Sequence, residues 1–145
     1  MKILAIGDIF GKTGRQIIKS DYFSELKKKN QIDLVVANVE NATHGKGIFE
    51  RHYKELRGPE DNRLIDVMTS GNHIFAREET KKFINEVPDL LRPLNSNPYH
   101  PGQGTTIIER KNKKIRITNL LGTTFMPMAA ENPFLALEKV LEKKD

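Results

Sequence analysis

The sequence predicts an α/β fold on a parallel sheet, from three apolar runs that each end in a polar cluster and from the helical periodicity between them. The first run is Ile3-Leu4-Ala5-Ile6, followed by Gly7-Asp8. The second is Leu34-Val35-Val36-Ala37, followed by Asn38-Val39-Glu40-Asn41. The third is Ile65-Asp66-Val67-Met68-Thr69, followed by Ser70-Gly71-Asn72-His73. Runs of this length, rich in β-branched residues and bounded by glycine or asparagine, suit buried strands.

Helices fill the intervals. Ile17, Ile18, Tyr22 and Leu26 recur at helical spacing and predict a helix over residues 15–29, with a lysine-rich end that suits a helix C-terminus. A second helix is predicted over 49–56, ending at Gly58-Pro59, and a third over 76–87, stopping before Pro88. Alternation of strand and helix is the order of right-handed crossover units. Residues 91–102 hold three prolines and predict a loop. Residues 105–109 and 115–121 read as a β-hairpin with a charged tip. Asn132-Pro133 opens a last helix, with Phe134, Leu137, Val140 and Leu141 on one face. No repeat, low-complexity tract or linker divides the chain, so one domain is expected over 1–145.

Composition narrows the function. The 145 residues contain no cysteine, which excludes disulfides, thiolate metal sites and a cysteine nucleophile. No apolar run approaches the roughly 20 residues of a membrane-spanning helix, so no membrane partner is expected. The apolar start is too short for a signal peptide and is interrupted by Asp8, which points to the cytoplasm. The net charge of +5 arises from 24 Lys+Arg against 19 Asp+Glu. The lysines lie in short runs such as Lys27-Lys28-Lys29 and are not interleaved with aromatics, which reads as solvated surface more than as a nucleic-acid face.

The polar clusters carry the chemistry. Ligands of parallel α/β sheets bind beyond the carboxyl ends of the strands, where the connections diverge. With the three strands adjacent, Asp8, Glu40, Asn41, Asn72 and His73 converge there. Two carboxylates, two amide oxygens and an imidazole make a hard, mostly oxygen site suited to Mn²⁺, Fe²⁺ or Mg²⁺. Each residue has a plainer reading as well. Asp8 could cap the following turn, Asn41 and Asn72 could satisfy turn backbone, and His73 could be a half-buried hydrogen-bonding histidine. Glu40, a carboxylate after a buried strand, needs a partner in any case. A phosphate-binding loop is a weaker rival at Gly7-Asp8-Ile9-Phe10-Gly11-Lys12-Thr13: only three residues separate the glycines, and Asp8 would face the phosphates. Arg15 is a candidate for stabilising bound phosphate, or else belongs to the helix surface.

Gly7-Asp8-Ile9-Phe10-Gly11-Lys12-Thr13-Gly14-Arg15, Asn38-Val39-Glu40-Asn41-Ala42, Gly45-Lys46-Gly47, Gly71-Asn72-His73 and Leu91-Arg92-Pro93 together resemble the YmdB-like bacterial branch of the calcineurin-like metallophosphoesterases. The resemblance runs nearly the whole length of the chain. It implies a sandwich of two sheets flanked by helices, with two divalent metal ions, iron or manganese, at the strand ends. It also implies hydrolysis of phosphodiester or phosphomonoester bonds, with cyclic nucleotides favoured. By motif position Asp8 ligates the first metal with support from Asn41, Glu40 bridges both, and Asn72 ligates the second. His73 sits beside the leaving oxygen as an acid or hydrogen-bond donor.

The same resemblance implies three further histidine ligands in a C-terminal half. The remaining histidines, His44, His52 and His100, match none of those positions. The expectation is therefore a domain truncated in its C-terminal half, with reduced metal affinity and an exposed sheet face that favours association with a second copy or another chain. Residues 57–63 look longer than the family's usual turn and are expected to be a surface extension. The alternative function is a non-catalytic regulatory or RNA-binding protein that keeps the fold.

Overall fold

The computed structural model describes residues 1–126 and 129–143. Three strands, β1 (Ile3–Asp8), β2 (Leu34–Asn38) and β3 (Val67–Thr69), form a parallel sheet in the order β1-β2-β3. The central strand β2 is apolar from Leu34 to Ala37, with Leu34, Val35 and Ala37 all near 1% exposed. β1 lies at the edge, and Ile3 on it is 49% exposed. β3 is shorter than the apolar run predicts because Asp66 departs from the ladder: its Oδ2, not a carbonyl, accepts the Val35 N–H at 2.7 Å.

Two helices, α1 (Gly11–Ile18) and α2 (Asp21–Asn30), connect β1 to β2 where one helix over 15–29 was expected. The break falls at Lys19-Ser20. Ser20 Oγ accepts the Phe23 N–H at 3.3 Å and so caps a new helix, while donating to Ile17 O at 2.6 Å. α1 also begins four residues earlier than predicted, directly after Phe10. α3 (Glu50–Arg57) matches its prediction to within a residue and ends at Gly58. The helix expected over 76–87 is only α4 (Glu78–Phe83), followed by a 3₁₀ turn at Ile84–Glu86.

The proline-rich segment is better paired than a loop. Met68 N–H donates to Asp89 O at 2.7 Å and Leu91 N–H to Met68 O at 2.8 Å, so residues 89–91 run beside β3. Arg92 N–H continues this pairing to Gln103 O at 3.0 Å. The hairpin β4 (Thr105–Arg110) and β5 (Lys113–Thr118) follows. Its tip narrows from the expected charged run to two residues, Lys111 and Asn112. Both have positive φ (50° and 58°), the signature of a tight hairpin turn. Arg110 pairs with Asp66 at 2.7 Å and Lys111 with Asp33 at 2.6 Å, fastening the tip to the amino ends of β2 and β3.

The last helix, α5 (Pro133–Leu141), is capped by Asn132, whose Oδ1 accepts the Phe134 N–H at 2.9 Å. Its inward face is Ala136 and Val140, with Leu137 half-buried, so the predicted stripe holds at Val140 and fails at its ends: Phe134 is 75% and Leu141 73% exposed. The buried pair is spaced four residues apart, and Phe134 and Leu141 lie off that arc. The extension at 57–63 is exposed in part, but Arg57 and Arg63 both reach Asp89 at 3.0 Å, which also accepts the Tyr53 hydroxyl. The core joins Val35, Ala37 and Met68 of the sheet to Ile18, Phe23, Tyr53, Leu56 and Phe83 of the helices.

Candidate functional site

The three parallel strands end side by side, with Asp8 opposite Asn38 and Asn38 opposite Thr69. The final rungs are Ile9 N–H to Asn38 O at 2.9 Å and Val39 N–H to Thr69 O at 3.0 Å. A register shift between Ile6 and Asp8 makes a bulge at Gly7, a device that re-aims the side chain beyond it. Past these rungs the chain leaves the sheet, and the polar clusters gather over its end.

Asn41 joins the first cluster to the third. Its Nδ2 donates to Asp8 Oδ2 at 2.7 Å, and its Oδ1 lies 2.7 Å from His73 Nδ1. An ionised carboxylate only accepts, so the Asn41 amide nitrogen must face Asp8 and its carbonyl must face His73. That carbonyl also only accepts, so His73 Nδ1 carries a proton and donates it. Nε2 is left as the ring atom able to exchange a proton with a ligand.

Glu40 is fixed from three sides. Its Oε2 accepts the His73 backbone N–H at 2.9 Å, and its Oε1 accepts Asn38 Nδ2 at 3.2 Å. Asn38 Oδ1 in turn accepts the Glu40 N–H at 2.9 Å. The carboxylate lies directly on Gly71: a Cβ there would stand 2.4 Å from Oε1 and 2.7 Å from Oε2. Asn72 is half-buried between Gly71 and His73, and its amide makes no hydrogen bond to a described residue. The structure thus links Asp8, Asn41, His73 and Glu40 in one hydrogen-bonded chain, with Asn72 beside it.

Arg15 is committed elsewhere. Its Nε donates to Glu55 Oε2 at 3.1 Å, its Nη1 donates to Ala42 O, and its side chain is 10% exposed. It ties α1 to α3 and to the loop just after Asn41. Lys19 shares Glu55 at 2.9 Å. Burial alone would raise the Glu55 carboxyl, but Lys19 and Arg15 hold it below the usual range. None of the other three histidines hydrogen-bonds to the cluster, although His100 lines a small cavity with Gly71 and Asn72. His44 is exposed, 6.4 Å from the Phe49 ring and 6.2 Å from His52. His52 is buried with Nδ1 2.7 Å from Thr43 Oγ1, and burial pushes it down, with Arg15 and Arg51 adding to the effect. His100 packs edge-on against Phe75 at 4.7 Å.

The donor set fits a hard divalent cation. Asp8, Glu40, Asn41 and Asn72 offer oxygen only, and neither carboxylate meets a lysine or arginine among the described residues. No three His, Cys, Asp or Glu side chains gather around one point among those residues, so the amides are needed to complete any such site. Two carboxylates with no cationic side chain beside them among the described residues leave negative charge for a cation to offset. A cavity of about 560 Å³ lies at the opposite end of the sheet, but there the carboxylates of Asp33 and Asp66 already pair with Lys111 and Arg110.

Residues 4–145 match the YmdB-like protein family. The chain belongs to that family. It is 42% identical over 151 residues to a Mycoplasma genitalium protein provisionally named a phosphatase/phosphodiesterase, covering 100% of this chain and 52% of that one. It is 38% identical over 141 residues to the 2′,3′-cyclic-nucleotide 2′-phosphodiesterase of Bacillus subtilis, covering 97% of this chain and 51% of the relative. The crystal structure of a novel phosphatase from Mycoplasma pneumoniae superposes with a TM-score of 0.85 at 39% identity, over 100% of this chain and 52% of that one. The chain therefore spans about half the length of the curated relatives it matches.

Three supporting residues of this YmdB-like chain have roles that the sequence reading did not assign. Asn38 orients Glu40, and Gly71 makes room for it. Asn119, 8% exposed, donates through Nδ2 to Ser70 O at 2.7 Å and Leu91 O at 3.1 Å, holding the base of the Gly71-Asn72-His73 loop. A buried asparagine following an apolar strand was the one local signal for that role.

Proposed function

We propose that the cluster at the strand ends is the metal-binding part of a phosphoesterase centre that hydrolyses phosphodiester bonds, those of cyclic nucleotides foremost. The observation that carries this is the unbroken chain Asp8–Asn41–His73–Glu40 at the carboxyl end of adjacent parallel strands. The family membership and the phosphodiesterase name of the Bacillus subtilis relative support the same reading.

Asp8, Glu40 and Asn72 would hold the divalent cations, iron or manganese, with the Asn41 amide holding Asp8 in place. Such cations polarise phosphoryl oxygens and lower the pKa of bound water. The protein's own contribution is positional. Asn38 and the His73 N–H hold the Glu40 carboxylate in one orientation, and Asn41 fixes the His73 tautomer. His73, protonated at Nδ1 and free at Nε2, is placed to give a proton from Nε2 to a leaving oxygen when the ring is cationic. General acid catalysis of this kind contributes about 10²–10⁴-fold.

The test is hydrolysis of bis-p-nitrophenyl phosphate by the Mn²⁺-loaded chain and by Asp8→Asn. Activity that depends on metal and is lost in Asp8→Asn supports the reading. Equal hydrolysis by both proteins, or hydrolysis insensitive to a chelator, counts against it.

A further inference from the structure

Phe10 is 63% exposed, one residue from a buried position. The residue is extended (φ −96°, ψ 119°), and Ile9 before it is turned into the core at 3% exposure. Alternation along an extended chain then sends Asp8 and Phe10 out on the same side. The side chain of Phe10 therefore leaves the chain on the side of Asp8, against the loop that follows Asn41.

The ring is supported from beneath by backbone. It lies on Gly45, where a Cβ would come within 2.6 Å of its Cζ, 3.1 Å of Cε2 and 3.3 Å of Cε1. Gly45 also has φ +80°, a conformation that side-chain-bearing residues rarely adopt, so two separate demands require glycine. The support belongs to the site itself, because Gly45 lies on the loop that leaves Glu40 and Asn41. Gly11 N–H donates to Asn41 O at 3.0 Å and Gly14 N–H to Phe10 O at 3.0 Å, fixing the chain on the far side of the ring. The tip of the ring thus rests against Gly45, and most of the side chain is open to solvent. The exposed side chains of Lys12, His44 and Lys46 lie on the same two segments.

A flat, backed aromatic surface beside a phosphoester site matches one ligand feature, the π-face of a nucleobase. We infer that Phe10 is a specificity-determining residue: the base of a nucleotide substrate stacks on it while the phosphate lies at the Asp8–Glu40 cluster. The inference rests on the phosphoesterase reading and adds to it the part of the substrate that is not phosphate. Stacking is tolerant of base identity, so Phe10 selects nucleotides over other phosphoesters without choosing among bases.

The experiment measures binding to the whole chain in Mn²⁺ by calorimetry, with 3′-AMP, ribose 5-phosphate and inorganic phosphate as probes. Wild type is expected to bind 3′-AMP at least tenfold more tightly than ribose 5-phosphate. Phe10→Ala and Phe10→Leu should both lose about tenfold or more for 3′-AMP and stay within twofold for the other two. Leucine keeps an apolar cover over Gly45, so loss in both variants separates stacking from packing. Unchanged 3′-AMP affinity in Phe10→Ala overturns the inference, as does equal wild-type affinity for 3′-AMP and ribose 5-phosphate. Absence of binding by all three probes to wild type overturns the phosphoesterase reading, and this inference with it.

Discussion

The carboxylate of Glu40 rests on the bare Cα of Gly71, where a single added methyl would stand 2.4 Å from one of its oxygens. The two residues are 31 positions apart, yet the contact decides where the charge of Glu40 points. Gly71→Ala should push the carboxylate off its bonds to Asn38 and to the His73 N–H. The expected outcome is at least a tenfold loss of Mn²⁺ affinity, roughly 1.4 kcal/mol, with the far-ultraviolet circular dichroism unchanged. Titration calorimetry against the unmodified chain measures it.

His73 and Asp8 should separate by what they change. His73→Ala removes the proton donor but none of the oxygen donors, so Mn²⁺ affinity should hold within a few-fold. Hydrolysis of bis-p-nitrophenyl phosphate should fall by about 10²–10⁴-fold. A His73→Ala protein that loses metal and activity in parallel would make the histidine a ligand instead.

Arg15 is predicted to matter for stability and not for substrate. Its guanidinium spans Glu55 and the carbonyl of Ala42, and Arg15→Ala leaves both without that donor. Unfolding stability should drop by about 2 kcal/mol, within the range for hydrogen bonds to charged groups. Phosphate affinity at the strand ends should be unchanged. Urea denaturation paired with phosphate titration distinguishes this from a direct role in binding.

Stability should depend on pH through the buried His52 and the half-buried His100. Burial comes first in lowering both His52 and His100 from the ordinary value of 6.5 in the folded chain, and neighbouring cations add to it. A folded pKa below the unfolded one means that the unfolded state binds the proton more readily. The stabilisation is thus complete above about pH 6.5 and is lost as pH falls through the lower folded values. The urea midpoint should decline from pH 7.5 to pH 5, and His52→Gln or His100→Gln should each flatten that slope. Equal slopes in all three proteins would contradict this.

The sheet was legible because its signals are local. Val35, Ala37 and Met68 sit in short apolar runs, and the runs end where the strands end. Asp8, Glu40, Asn41 and His73 could be grouped because consecutive parallel strands place their carboxyl ends together. What escaped the sequence depended on contacts between distant segments. Ser20 splits a stretch that periodicity reads as one helix, since its hydroxyl can cap the next turn. Residues 89–91 pair with Met68 despite the prolines that follow. Arg15 beside a glycine-rich turn reads as a phosphate ligand until Glu55, 40 positions away, is seen to hold it. Phe134 and Leu141 were assigned inward because spacing gives an apolar arc but not which part of it meets the core.

In the proposed centre, Glu40 is the residue around which cations assemble at these strand ends. Mn²⁺ titration of the chain and of Glu40→Gln tests it most directly, since glutamine keeps the size of the side chain and removes its charge. The expected result is Mn²⁺ binding by the chain and at least tenfold weaker binding by Glu40→Gln. Equal affinity in the two proteins would contradict it.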